Sequence, residues 1–279
     1  MSVQLTVLGS GSAGNATLLQ HGEGRVLIDA GLSCRELTKR LERVGVEPSG
    51  VGAMAITHVH GDHTKGAALF SRRYDVPVYV TDATREVWGQ GDVASWQRLT
   101  CDTVTEICGF RFLPFEVLHD ADAETVGFRI DTSAGAIGFA TDIGMVTPQL
   151  RNRFQSCRLL VIESNHAVEL LAVGPYAEST KVRIGSNRGH LSNEALATFI
   201  REDLGPSVEC LVLAHLSRVN NVPELAEMTC REALAAVGRS EVRVVITRQD
   251  RVAETVELPV LTACRHPKGD ASKQVALPF

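Results

Sequence analysis

Residues 57–63 read Thr57-His58-Val59-His60-Gly61-Asp62-His63, directly after the apolar run Val51-Gly52-Ala53-Met54-Ala55-Ile56. The run predicts a buried strand over 51–57, and the polar cluster sits at its end. Three histidines and an aspartate fall within six positions. A lone histidine is usually a hydrogen-bonded core or surface residue. Four such groups beside an apolar strand are costly to bury without a common partner. Neutral imidazole suits zinc, iron or manganese, and carboxylate adds an anionic oxygen. Positions 58 and 60 are two apart, so in an extended segment they point the same way. Asp62 and His63 can then turn to a second ion.

Working outward, the same rule finds more ligands. His119 follows Phe115-Glu116-Val117-Leu118, Asp142 follows Ile137-Gly138-Phe139-Ala140-Thr141, and His215 follows Leu211-Val212-Leu213-Ala214. Each is a polar residue at the C-terminal end of an apolar run, where sheets build sites. Two ligand sets result. His58, His60 and His119 serve one ion, Asp62, His63 and His215 the other, and Asp142 is able to bridge.

The surrounding pattern alternates strand-like and helix-like segments. Strands are expected over 3–8, 15–20, 25–29, 77–80, 159–163, 208–214 and 241–247, with several more within 97–119. A hairpin is expected over 125–131 and 136–141, around Ala134-Gly135. Helices are expected behind a Ser33/Glu36 capping box, over 64–74, 82–88 and 148–156, after Ser192, and from Pro223 to about 237. The reading is α/β, a single domain over 1–279, with 265–279 a frayed tail.

Composition narrows the class. The 279 residues are 44% hydrophobic and 22% charged, ordinary for a globular protein. Seven cysteines form no Cys-x-x-Cys pair, which argues for free thiols and a reducing compartment. The N-terminus resembles no secretory signal, and no run approaches a membrane span. A cytoplasmic protein with no membrane partner is expected. The net charge of −5 excludes recognition of nucleic acid by overall field, leaving local patches and bound metal.

The order H-x-H-x-D-H, then His, Asp and His, resembles the metallo-β-lactamase superfamily over roughly residues 1–250. The resemblance implies a four-layer αββα sandwich with two divalent metals, zinc or manganese with iron as a further candidate, at one edge. A bridging aspartate at 142 resembles the dinuclear hydrolase branches, whereas true β-lactamases generally carry cysteine there. Finer stretches resemble the YycJ/WalJ-like group: Leu8-Gly9-Ser10-Gly11-Ser12-Ala13-Gly14-Asn15, Ile162-Glu163-Ser164-Asn165-His166, Gly189-His190-Leu191-Ser192-Asn193-Glu194, and Lys181 with Arg183 and Ile184. That group implies exonuclease action on DNA from the 5′ end, DNA rather than RNA being favoured. Asp62 would orient a metal-bridging hydroxide.

Glu163 and His190 also resemble the proton relay of ribonuclease Z. A carboxylate on one ring nitrogen would orient His190 and raise its basicity. The plainer alternative is a capped loop and a packed histidine. His166 either touches substrate phosphate or supports its neighbours. Ser192, Lys181 and Arg183 are candidate substrate contacts. With Arg72, Arg73 and Arg188, the two basic residues either track a backbone or are solvated surface. Gly9-x-Gly11-x-x-Gly14 matches a dinucleotide fingerprint, but a strand rather than a helix is expected to follow. A tight turn near the metal edge, with N–H groups for a phosphate oxygen, fits better. Competing functions are a thioester or lactone hydrolase on the same metals, an RNA phosphodiesterase, and a metal-stabilised binding module without turnover.

Overall fold

Buried runs that are apolar at every position serve two faces at once, and in this chain they do so in both sheets. In the computed structural model, which describes residues 2–261, one sheet holds β1 (Ser2–Gly9), β2 (Ala16–His21), β3 (Gly24–Ile28), β4 (Ala53–Ala55), β5 (Val78–Thr81), β6 (Trp96–Leu99) and β14 (Val256–Pro259). Its order is β14-β1-β2-β3-β4-β5-β6. The second holds β7 (Thr105–Ile107), β8 (Phe110–Val117), β9 (Thr125–Thr132), β10 (Gly135–Ala140), β11 (Cys157–Glu163), β12 (Cys210–Ala214) and β13 (Arg243–Ile246), in the order β13-β12-β11-β10-β9-β8-β7.

Side chains alternate between two cores, as the strand period of two requires. Val26 and Ile28 of β3, Leu159 and Val161 of β11 and Val212 of β12 meet between the sheets. Phe112 and Phe128 pack there edge to face, with centroids 5.4 Å apart. Leu27 and Met54 turn outward to α1 (Cys34–Arg43) and α3 (Ala67–Tyr74), whose Leu37, Leu41 and Phe70 cover them. Leu160, Ile162, Leu211 and Leu213 turn outward to α5 (Pro148–Phe154), α8 (Asn193–Asp203) and α9 (Pro223–Ala236). Helices, sheet, sheet and helices make the four-layer αββα sandwich.

β8 and β10 are both antiparallel to β9, and β10, β11 and β12 are mutually parallel. β8, β10, β11 and β12 therefore end at the same edge. In the other sheet β3 and β4 run parallel. Strand C-termini collect at an edge in this way where open sheets bind ligands.

Several expected elements differ. The strand over 51–57 shortens to β4, although Ile56 N still donates to Tyr79 O at 3.0 Å. The helix over 64–74 divides into α2 (Gly61–Thr64) and α3, with Gly66 between them. An added Cβ on Gly66 would meet Leu32 O at 2.1 Å, so the chain bends where it passes the 30–32 loop. Elements not expected include β14, which pairs with β1 beyond residue 250, and the short helices α6 (Val168–Val173) and α7 (Glu178–Ile184). Strand β2 follows the glycine motif as expected. Ser33 and Ser192 cap α1 and α8 through their Oγ atoms. The expected tail over 265–279 lies outside the described residues. Among the described residues, no helix is long and apolar enough to cross a membrane.

Candidate metal centre

The chain leaves β4 extended, then turns at Gly61 into the four residues of α2. Two loops clamp that turn. Asn15 N donates to Asp62 O at 2.7 Å, and Ala30 N donates to His63 O at 2.8 Å. Gly31 permits the approach, since a Cβ there would lie 1.5 Å from Asp62 O. The other contributors arrive singly, His119 after β8, Asp142 after β10, Glu163 at the end of β11 and His215 after β12. Asp142 and His215 adopt left-handed backbone, with φ of 55° and 56°, as does Asp29 at 61° after β3. Such strain in non-glycine residues persists where surrounding structure over-determines it.

The seven side chains predicted from sequence converge. Ligand atoms of His58, His60 and His119 lie within 4.8 Å of one another, as do those of Asp62, His63 and His215. His119 Nε2 stands 3.3 Å from His60 Nδ1, and His215 Nε2 stands 3.4 Å from Asp62 Oδ2. Two nitrogens on a tetrahedral zinc at its usual bond length would be about 3.3–3.4 Å apart. Asp142 lies between the sets, with Oδ2 2.9 Å from His63 Nε2 and Oδ1 3.8 Å from His119 Nε2.

One buried atom here has no hydrogen-bond partner, His58 Nε2. Orphaned polar atoms are rare in native interiors, and this one sits within the cluster. Charge points the same way. Burial drives His58 well towards the neutral, ligating form and lowers His119 in the same direction. Burial opposes charge on His63 and His215 too, but the carboxylates of Asp142, Asp29, Asp62 and Glu163 outweigh it. His63 is raised well above the ordinary range and His215 to about 10. Burial would raise Asp142, yet His215 and His63 hold it well below the carboxylate range. The carboxylates thus draw positive charge into a nearly dry space. The donor set fits two divalent cations.

Glu163 is fully buried and accepts at both oxygens. Oε1 is 2.9 Å from His190 Nδ1 and 2.9 Å from His215 Nδ1, while Oε2 takes the N–H groups of Ile143 and Leu191. Burial would raise its pKa, but His190 and His215 lower it to about 2. On His190 burial favours the neutral ring, and Glu163 overrides it to give a net rise. His190 is held from behind, its N–H donating to Ile184 O at 2.8 Å. With Nδ1 tied to Glu163, His190 lines a cleft of about 500 Å³ that also meets His60, Asp62, His119, Asp142 and His215.

Other expected contacts fare differently. Arg183 lines the cleft but pairs with Asp120 at 2.7 Å. Lys181 Nζ donates to Ala172 O and does not line the cleft. Ser192 Oγ is spent on capping α8. His166 lines a neighbouring cavity instead. Arg188 donates to His119 O, Arg72 to Asp92 O, and Arg73 lies over the Tyr74 ring. Each basic residue has a local partner rather than a place in one stripe. The N–H groups of the glycine turn are also largely engaged: Gly11 donates to Asn15 Oδ1, Ala13 to Gln249 Oε1 and Gly14 to Gly11 O. The motif supports the site from behind instead, through Ser10 Oγ accepting from His215 N and Asn15 reaching Asp62 and His63.

Sequence reasoning missed Asp29. Its Oδ2 lies 2.7 Å from His63 Nδ1, and its Oδ1 accepts from Thr57 N at 2.8 Å. A carboxylate behind a ligating imidazole fixes the ring and leaves Nε2 for the metal. The signal was present, since Asp29 ends the apolar run Val26-Leu27-Ile28.

Fold and site together define the class. The chain belongs to the metallo-β-lactamase superfamily: the family model described as a beta-lactamase superfamily domain matches residues 24–216. That fold implies hydrolytic chemistry with divalent metal. Within it, the chain is 32% identical over 242 residues to the protein named exodeoxyribonuclease YycJ of Bacillus anthracis, covering 85% of this chain and 91% of that protein. It is 34% identical over 236 residues to exodeoxyribonuclease WalJ of Streptococcus pneumoniae, covering 82% and 87%. Among solved structures it is similar to the metallo-β-lactamase fold protein YhfI of Bacillus subtilis, with TM-score 0.70 and 17% identity, covering 92% of this chain and 100% of that one.

Proposed function

We propose that this protein is a dinuclear-metal phosphodiesterase that works as a DNA exonuclease from the 5′ end. One observation carries the reading: a single buried oxygen, Glu163 Oε1, stands 2.9 Å from both His190 and His215. It joins a proton donor to a ligand set. Phosphodiester cleavage expels a poor alkoxide leaving group that benefits from such a donor. The exodeoxyribonuclease names of two relatives support nucleic acid, and DNA in particular, as substrate.

In this reading His58, His60 and His119 would hold one ion and Asp62, His63 and His215 the other, with Asp142 placed to serve either. Zinc, manganese or iron, when bound there, supplies Lewis acidity and an activated nucleophile near neutral pH. Asp62 faces the cleft and orients the attacking water. The water oxygen forms a bond to phosphorus while the bond to the departing oxygen breaks. His190 delivers its Nε2 proton to that oxygen, and Glu163 stabilises the ring before and after transfer. Asp29 and Asn15 keep the 58–63 loop in register. A cytoplasmic setting suits the six free cysteines among the described residues.

The test is a metal screen on chelator-treated protein. Zinc and manganese are supplied with 5′-labelled DNA, RNA, bis(p-nitrophenyl) phosphate and a thioester. Metal-dependent release of mononucleotides from DNA is expected. Turnover of the thioester alone would overturn the proposal.

A further inference from the structure

His190 lines two cavities. Beside the metal cleft lies a second, of about 490 Å³, bounded by the loop after β10, by α6, by the end of α7 and by the first turns of α8. Its apolar wall includes Val146, Leu171 and Phe199, and its polar groups include His166, Asn187 and Thr198. The walls meet closely. A Cβ on Gly144 would lie 2.2 Å from Asn187 backbone, so the loop and the turn after α7 are already in contact.

His166 is only 2% exposed, and its Nδ1 is buried with no hydrogen-bond partner. A buried polar atom left unmatched is costly, and beside a cavity it marks a position for a ligand's polar edge. Charge selects the ligand. Arg151 lines this cavity but pairs with Asp203 at 3.1 Å, and Glu194 lies near enough to act on His166. No unpaired cation is offered to a phosphate. A flat, neutral heterocycle with donors and acceptors on its edge matches apolar walls and a few polar groups.

The geometry points to this second cavity as the seat of the nucleoside carried by the departing oxygen. The inference rests on the phosphodiesterase reading. If His190 protonates the leaving oxygen, that oxygen lies within hydrogen-bond reach of its ring. The attached sugar then starts at the one side chain common to both cavities, and its base extends towards His166. The scissile phosphate stays with the metals.

The test uses a dinucleotide with one phosphodiester, and two analogues that each lack one base. Product analysis identifies the leaving side. Loss of the leaving-side base is expected to lower kcat/KM about tenfold or more, and loss of the other base to matter less. Ala195→Trp, at an exposed position on the cavity rim, is expected to erase the difference between native and leaving-side abasic substrates. Saturation-transfer NMR with thymidine and metal-free protein is expected to give a signal that Ala195→Trp removes. Equal loss from either missing base, or thymidine binding untouched by Ala195→Trp, would overturn the inference. Hydrolysis of bis(p-nitrophenyl) phosphate in the same preparation separates the two failures. If it proceeds, the cavity assignment alone has failed; if it does not, the phosphodiesterase reading has failed with it.

Discussion

The two sheets contribute to the centre in opposite ways. The first delivers His58, His60, Asp62 and His63 from one loop, held by Asn15, Ala30 and the bare backbone of Gly31. The second delivers one residue per strand end, His119, Asp142, Glu163 and His215, two of them in left-handed backbone. The loop is a local device. Its geometry depends on two neighbouring loops and a carboxylate behind His63. The strand ends are a global device, set by the register of β8, β10, β11 and β12. Damage to the supports behind the first should loosen metal while sparing chemistry; damage to the second should reach the reaction itself.

The largest effect is expected where the two devices meet. Asp142→Ala removes the oxygens between the ligand sets. Metal analysis should find fewer than two ions per chain, and activity should fall by more than the roughly 10²–10³-fold typical of losing one electrostatic stabiliser. Full metal content with native turnover would break the comparison.

Next comes His190→Ala, on the global side. A lost general acid costs about 10²–10⁴-fold. That loss should appear in kcat on oligonucleotides, with metal content unchanged. Bis(p-nitrophenyl) phosphate, whose leaving group needs no proton, should suffer much less. Equal losses on both substrates would remove the proton-donor role.

Asp29→Asn acts on the local side. Disrupting a carboxylate behind a metal-bound imidazole typically costs about 10–100-fold in metal affinity. Competition with a chelator should detect this, and saturating metal should restore most turnover. A kcat defect that metal cannot repair would place Asp29 among the reacting groups instead.

The smallest effect concerns pH and stability. Burial lowers the pKa of His166 in the folded state, and Glu163 and Glu194 only partly oppose it. Below the ordinary value of 6.5 the unfolded chain binds this proton first, so stability present above that pH declines as pH falls. Denaturant midpoints between pH 7.5 and 5.5 should therefore drop less in His166→Gln than in the native protein. An identical drop would mean that His166 meets no such penalty.

The same contrast explains what the sequence made legible. The local device is contiguous, so four ligands stood in one motif, and the alternating strands announced the sandwich. The global ligands were found by a single rule, a polar residue after an apolar run. Asp29 obeys that rule as well and was overlooked because it lies far in sequence from the motif it serves. α6 and α7 are six and seven residues long, too short for a helical period to stand out. β14 is four residues whose sheet partner among the described residues, β1, is some 250 positions away, so its pairing left no local trace. The pairing of the basic residues was not legible, because partners such as the Asp120 carboxylate and the Asp92 carbonyl are set by tertiary structure.

Anomalous diffraction from manganese-soaked crystals tests the central claim most directly. Two peaks are predicted about 3.5–4 Å apart, the spacing of two-metal sites. One should touch His58, His60 and His119, the other Asp62, His63 and His215, with Asp142 reaching both. A single peak, or density away from these side chains, would contradict the account.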